Sequence, residues 1–178
     1  MKVISGLYRG RNIEGYELLG TRPTQDRIKE NIFNIIGSDI ADKIVLDLFS
    51  GTGSLGIEAA SRGAKYIYFN DNNKESINVI NNNIKKIGIS NCSVIYNDYK
   101  NTIKNLDKKM DIILLDPPYD SNYIGISIKL INKYDLLNTN GLIVCETDNL
   151  DKVKYNEEYK CIKNKKYGDK FVVILKKV

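Results

Sequence analysis

Ile44-Val-Leu-Asp-Leu-Phe-Ser-Gly-Thr-Gly-Ser-Leu-Gly56 is the stretch that decides the fold. Ile44–Leu48 is a short apolar run of strand type, and Ser54–Arg62, closed by Gly63, has a helical pattern. Between them Gly51, Gly53 and Gly56 make a turn whose backbone can take φ > 0 and let a ligand come close. The spacing matches G-x-G-x-x-G, the dinucleotide fingerprint. A tight strand-to-helix turn without a ligand has the same spacing.

Outward from this unit the pattern repeats. Strand-like runs at Tyr66–Phe69, Ser93–Tyr96, Asp111–Leu115 and Leu142–Cys145 alternate with helical patterns at Lys74–Ile87, Tyr99–Leu106 and Ile124–Tyr134. Continuous apolar runs such as Ile112–Leu115 suit parallel strands buried on both faces. Alternating strands and helices predict right-handed βαβ units, hence an α/β, doubly wound, mostly parallel sheet. Cys161–Lys166 and Lys170–Lys176 flank Tyr167-Gly-Asp169 and predict an antiparallel hairpin on the sheet edge. Upstream, residues 1–20 read as a small β-hairpin extension and 21–178 as one domain. Ile28, Ile32, Ile35 and Ile36 form one apolar helix face ended by Gly37.

The chain has 178 residues and no histidine. That excludes Ser-His-Asp and Cys-His catalytic sets and His-bound zinc. Three isolated cysteines without C-x-x-C spacing read as reduced thiols packed as small hydrophobes. No apolar signal core opens the chain and no run is long enough to span a membrane, so a cytoplasmic protein without a membrane partner is expected. Asn, Ile and Lys dominate the composition, which reads as genomic bias, the Asn81–Asn83 run included. The net charge of +5 is uneven: residues 1–150 are balanced, and nine Lys against four acids in 151–178 supply the excess. Four of the five Arg (Arg9, Arg11, Arg22, Arg27) lie in the first 27 residues. A basic margin fits nucleic acid, an anionic membrane, or solubility alone.

In doubly wound sheets ligands sit beyond the carboxyl ends of the strands. Four successive strands end near a carboxylate: Asp47, Asp71, Asp98 and Asp116. Asp71 stands where a ribose-binding acid belongs, or where a helix N-terminal acid does; Asp98 suits an adenine amine or a helix N-cap. Asp116-Pro-Pro-Tyr119 is more specific. Two prolines fix φ twice, lack N–H donors and force extended geometry on the residue before each. The result is a rigid corner presenting a carboxylate, a free carbonyl and an aromatic ring.

Asp-Pro-Pro-Tyr after the fourth strand, with Asp-x-Phe-x-Gly-x-Gly after the first, resembles the S-adenosylmethionine-dependent (class I, Rossmann-like) methyltransferases that modify exocyclic amines. Ile4-Ser-Gly-Leu-Tyr-Arg-Gly-Arg11, Thr21-Arg-Pro-Thr-Gln-Asp-Arg-Ile-Lys-Glu-Asn-Ile-Phe33, Leu46–Glu58, Ser61-Arg-Gly63 and Lys166-Tyr-Gly-Asp169 resemble, in order and over nearly the whole chain, the RsmD family. That family methylates N2 of one guanine in 16S ribosomal RNA. Asn70 is a departure, since an apolar residue is expected before the ribose acid.

The resemblance implies S-adenosylmethionine as cofactor, S-adenosylhomocysteine as product and no metal. It implies Phe49, Ser50, Gly51 and Gly53 at the amino-acid part, Asp71 and Asn72 at the ribose, and Asp98 and the Tyr99 backbone at the adenine. Asp47 holds the glycine turn or the methionine ammonium. Asp116 and the Pro117 carbonyl would accept the amine N–H groups, Pro118 would complete the corner, and Tyr119 would stack on the extruded base. Arg9, Arg11, Arg22, Thr24 and Arg27 would grip RNA phosphates beside the site, unless Arg27 only caps or pairs with Glu30. The implied partner is 16S rRNA within the small ribosomal subunit or its assembly intermediate, met by a monomer. A nicotinamide dehydrogenase shares the glycine turn but does not call for Asp-Pro-Pro-Tyr. The same residues also admit a methyltransferase for DNA or another RNA base, or a non-catalytic RNA-binding protein.

Overall fold

The computed structural model describes residues 1–15, 22–118 and 121–178, with the side chains of all but 22–24 among them. Five parallel strands, β1 (Ile44–Asp47), β2 (Tyr66–Asp71), β3 (Cys92–Tyr96), β4 (Met110–Leu115) and β5 (Leu137–Thr147), and two antiparallel ones, β6 (Tyr159–Tyr167) and β7 (Lys170–Lys177), form one sheet. Its order is β3-β2-β1-β4-β5-β7-β6. The doubly wound, class I methyltransferase arrangement expected from the sequence is therefore present, with the C-terminal hairpin closing one edge.

Because side chains alternate across a strand, each β-run feeds two cores. Val45, Phe69, Leu114 and Val172 face helices α1 (Arg22–Ile36), α2 (Ser54–Ser61) and α3 (Lys74–Ile87). Leu46, Ile113, Cys145 and Val173 face α4 (Tyr99–Asn105) and α5 (Tyr123–Lys133). α3 carries both expected end signals: Asn73 caps its first turn by accepting from Glu75 N–H at 2.8 Å, and Gly88 at φ 84° ends it. β5 runs longer than Leu142–Cys145, because pairing with both β4 and β7 extends it past its apolar centre. β2 likewise continues through Asn70 and Asp71, held by β3.

The N-terminal residues pair with each other, Val3 N–H to the Arg11 carbonyl and Ile13 N–H to that of Met1. They bury Val3 and Ile13 in the first core. The fully buried carboxylate of Glu58 on α2 accepts from Ile4 N–H at 2.8 Å, Ser5 N–H at 3.1 Å and Arg62 Nε at 2.8 Å. Lys29 of α1, almost fully buried, donates to the Lys2 carbonyl and to Ser54 Oγ.

The third glycine of the turn answers to packing. A Cβ on Gly56 would stand 2.3 Å from the Phe69 ring. Only without a side chain does α2 lie this close to β2. Gly56→Ala is expected to cost about 1–3 kcal/mol, read as a melting temperature lowered by several degrees. The double variant Gly56→Ala/Phe69→Leu should lose less than the two single losses combined, because the sites share one contact.

Candidate functional site

The strand order reverses between β1 and β4, so their carboxyl ends diverge and open a crevice at the sheet's upper edge. The β1–α2 turn enters it held from several sides. Asp47, at the end of β1, accepts from Gly56 N–H at 2.9 Å through Oδ2. Its Oδ1 is buried and has no hydrogen-bond partner among the described residues. Burial pushes the Asp47 carboxyl up to about 7, aided by the charge of Asp71 and opposed by the Gly56 N–H. Asp71, at the end of β2, accepts from Gly51 N–H at 2.8 Å and, with its other oxygen, from Asn73 N–H at 2.8 Å. Ser50 is spent internally: its hydroxyl donates to the Asp47 carbonyl at 2.7 Å and accepts Asn70 N–H at 3.1 Å.

Asn70, the polar departure, explains itself here. Fully buried, it donates to the Leu48 carbonyl at 3.0 Å and accepts from Thr102 Oγ1 at 2.6 Å, binding the exit of β1 to β2 and α4. Asn83 corrects the reading of the Asn81–Asn83 run as compositional bias. It is fully buried on α3, accepts Glu14 N–H at 2.9 Å, and donates to the carbonyls of Glu14 at 2.9 Å and Thr52 at 3.0 Å. It thereby ties the N-terminal segment to the glycine turn.

A cavity of about 470 Å³ occupies the crevice. Phe49, Gly51, Asp71, Asn72, Tyr99, Asp116, Pro117 and Pro118 all line it, as do Gln25 and Tyr123. Phe49 stacks on Tyr123 (centroids 5.9 Å apart, planes at 9°), and Tyr99 closes the trio at 5.2 Å and 5.0 Å from them. Sequence reasoning missed Tyr123; an aromatic opening the helix after the Pro-Pro corner was the available signal. Asp98 takes the capping role, accepting Lys100 N–H at 2.9 Å at the start of α4, and does not line the cavity. Tyr99 lines the crevice, its ring packed against Phe49 and Tyr123.

At the opposite wall Asp116 follows β4. Pro117 is buried, Pro118 is exposed, and the Pro118 carbonyl accepts from Ser121 Oγ at 2.6 Å. Tyr119 lies outside the described residues. Burial holds the Asp116 carboxyl well above the usual carboxylate range; Glu146 and Asp47 push the same way, and Lys170 opposes them. Glu146, at the end of β5, pairs with Lys170 of β7 at 2.6 Å. Neither residue was foreseen, although Glu146 directly follows an apolar strand run.

Arg9 and Arg11 do not lie beside the cavity as expected. Arg11 donates to the carbonyl of Ile87, the last residue of α3, and lies 6.0 Å from the Tyr8 ring centre. The first turn of α3 borders the cavity, so Arg11 sits about 20 Å away at the other end of that helix. Glu58 and Ser61 cause this by capturing the backbone of residues 4–8 at the far half of α2. Exposed Arg9 occupies the same turn. The Arg22 and Thr24 side chains lie outside the described residues. Arg27 is exposed on α1 and makes no ion pair with Glu30 among them.

The raised Asp47 carboxyl penalises the folded state progressively as pH climbs from the ordinary aspartate pKa to about 7, and by a constant amount above that. Asp47→Asn should therefore gain melting temperature relative to wild type between pH 4 and 7.5, by several degrees in thermal-denaturation series.

The family described as Conserved hypothetical protein 95 matches residues 1–176. A putative rRNA methyltransferase of Bacillus subtilis, YlbH, is 38% identical over 152 residues, spanning 83% of each chain. Ribosomal RNA small subunit methyltransferase D of Haemophilus influenzae is 33% identical, over 94% of this chain and 89% of that one. A crystal structure of a putative methylase from Haemophilus influenzae superposes with TM-score 0.85 at 29% identity, over 99% of this chain and 98% of that one. With a match along almost its entire length, and with the glycine turn and the Asp-Pro-Pro corner at the ends of adjacent strands, the chain belongs to the Conserved hypothetical protein 95 family.

Proposed function

We propose that this protein transfers a methyl group from S-adenosylmethionine to the exocyclic N2 amine of one guanine in 16S ribosomal RNA, acting as a monomer on the small subunit or its assembly intermediate. One observation carries the reading. A single cavity joins the Asp71-braced glycine turn to the Asp116-Pro-Pro corner. The names of the relatives agree with it.

The residues fit the cofactor. The buried, unpartnered Oδ1 of Asp47 is an acceptor suited to an ammonium. A Cβ on Gly51, at φ 54°, would meet no protein atom within 4 Å, so this glycine leaves open space at the cavity wall. The described lining holds two carboxylates and no Lys or Arg, which favours a cationic ligand. Asp71 retains lone pairs for ribose hydroxyls beyond its two backbone bonds. The Phe49–Tyr99–Tyr123 trio offers ring faces to an adenine. When bound, S-adenosylmethionine supplies an electrophilic methyl group on a sulfonium that is already a good leaving group.

The acceptor amine is a weak nucleophile because its lone pair is delocalised into the base. Asp116 and the Pro117 carbonyl accept its N–H groups and aim the lone pair at the methyl. The prolines keep both acceptors aligned without a mobile side chain. Tyr119 stacks on the base, as the family resemblance implies. No histidine is needed, since the proton can leave after transfer.

Mass-spectrometric mapping of 16S rRNA from a deletion strain tests the reading. One N2-methylguanine should vanish, return with the wild-type gene, and stay absent with Asp116→Ala, whose rate in vitro should fall about 10²–10³-fold. An unchanged map, or methyl transfer to DNA and none to small subunits, overturns it. The acceptor role requires ionised Asp116, so the rate should rise with pH through a raised apparent pKa. Glu146→Gln removes a neighbouring negative charge and leaves Lys170 and Asp47 facing Asp116. It should move the acid limb of kcat to lower pH, as read from a pH–rate profile.

A further inference from the structure

A second cavity, of about 820 Å³, lies between α1 and the β6–β7 turn. Arg27, Asn31 and Asn34 line it from α1, and Lys165, Lys166 and Tyr167 from β6. Glu30 is the single acid on its described wall, against three fixed cations. This is the reverse of the first cavity, whose charged lining is all carboxylate. Register explains the placement. Lys165 pairs with Val172 and Tyr167 with Lys170 across the hairpin, and Val172 belongs to the core beneath α1. Lys165 and Tyr167, two residues apart, therefore face the same side, with Lys165 Nζ 5.2 Å from the Tyr167 ring centre. The Tyr167 hydroxyl is buried and has no hydrogen-bond partner among the described residues. The groove so combines cations and amides.

The two cavities are linked through neighbouring residues of α1 and of the C-terminal hairpin. Gln25 lines the first and Arg27 the second, within one turn of α1. On the other side the β6–β7 turn leads to Lys170, which holds Glu146 next to Asp116. Tyr167 of the groove pairs with that same Lys170, so the groove would take the phosphates flanking a base held at Asp116.

Building on the rRNA reading above, we propose that the groove between α1 and the β6–β7 turn binds the phosphate backbone of the unpaired RNA adjoining the target guanine. Arg27 and Lys165 hold phosphates, and Asn31 and Asn34 contact sugar or phosphate oxygens. The C-terminal lysine surplus thus has a specific place, whereas Arg11 serves the fold.

The test uses the full chain and small subunits purified from a strain lacking the gene. Arg27→Glu/Lys165→Glu is compared with Lys104→Glu/Lys108→Glu, an equal charge change on and after α4, which packs on the opposite face of the sheet, and with the milder Arg27→Gln/Lys165→Gln. The groove variants should raise KM for the subunit at least about tenfold and reduce the salt slope of binding by about two. S-adenosylhomocysteine affinity by calorimetry and kcat at saturating subunit should stay within twofold, and the control pair should match wild type. Groove variants with wild-type KM and salt slope overturn the proposal. So does a raised KM with an unchanged slope, which places a ribosomal protein at the groove. Wild-type protein that neither binds nor methylates the subunit overturns the rRNA reading and this inference with it; activity in wild type beside unaffected groove variants overturns the groove alone.

Discussion

The hydrogen bond from the Gly56 amide to the buried Asp47 carboxylate is the constraint on which the site depends. It joins the end of β1 to the first turn of α2 across nine residues, and so fixes how the glycine turn bends over the sheet. The bond has a cost. Asp47 is withdrawn from water, one oxygen is left unpartnered among the described residues, and its carboxyl is pushed up to about 7. The unpartnered oxygen makes Asp47 a destabilising group that the geometry of the turn nevertheless requires.

Around that bond the fold uses neighbours sparingly and more than once. Asp71 braces Gly51 and caps the approach to α3 with one carboxylate. Asn70 joins β1, β2 and α4 through its side chain. Asn83 links the turn to the N-terminal segment, so that segment stabilises the site from behind. On the opposite wall two prolines give stiffness without N–H donors, and the Glu146–Lys170 pair sets the charge around Asp116. One wall is organised by backbone amides meeting carboxylates, the other by covalent restriction of φ.

The elements were legible because their signals are local. Glycine ends, asparagine and aspartate caps and apolar runs fall within a few residues of the boundaries they set, as at Asn73 and Gly88 of α3. The Asp-Pro-Pro corner was legible for the same reason. What was not legible depends on residues distant in sequence. Asn83 looks like one Asn among many until Glu14 and Thr52 are brought to it. Tyr123 becomes part of a wall only when Phe49 and Tyr99 stack on it. Arg11 precedes the site in sequence yet lies at the far end of α3, because Glu58 captures the backbone before it.

By itself the sequence determined the alternation of strands and helices, the carboxylates at the strand ends and the rigid corner, because periodicity, glycine and proline act through the local backbone. Only the tertiary structure decided which carboxylates face the cavity. Asp71 and Asp116 line it from opposite walls, Asp47 lies buried beneath the glycine turn, and Asp98 turns to cap its own helix. It also decided where the positive charge lies. The lysines of β6 reach the groove beside α1 through strand register, and register is a property of pairing that neither strand carries alone.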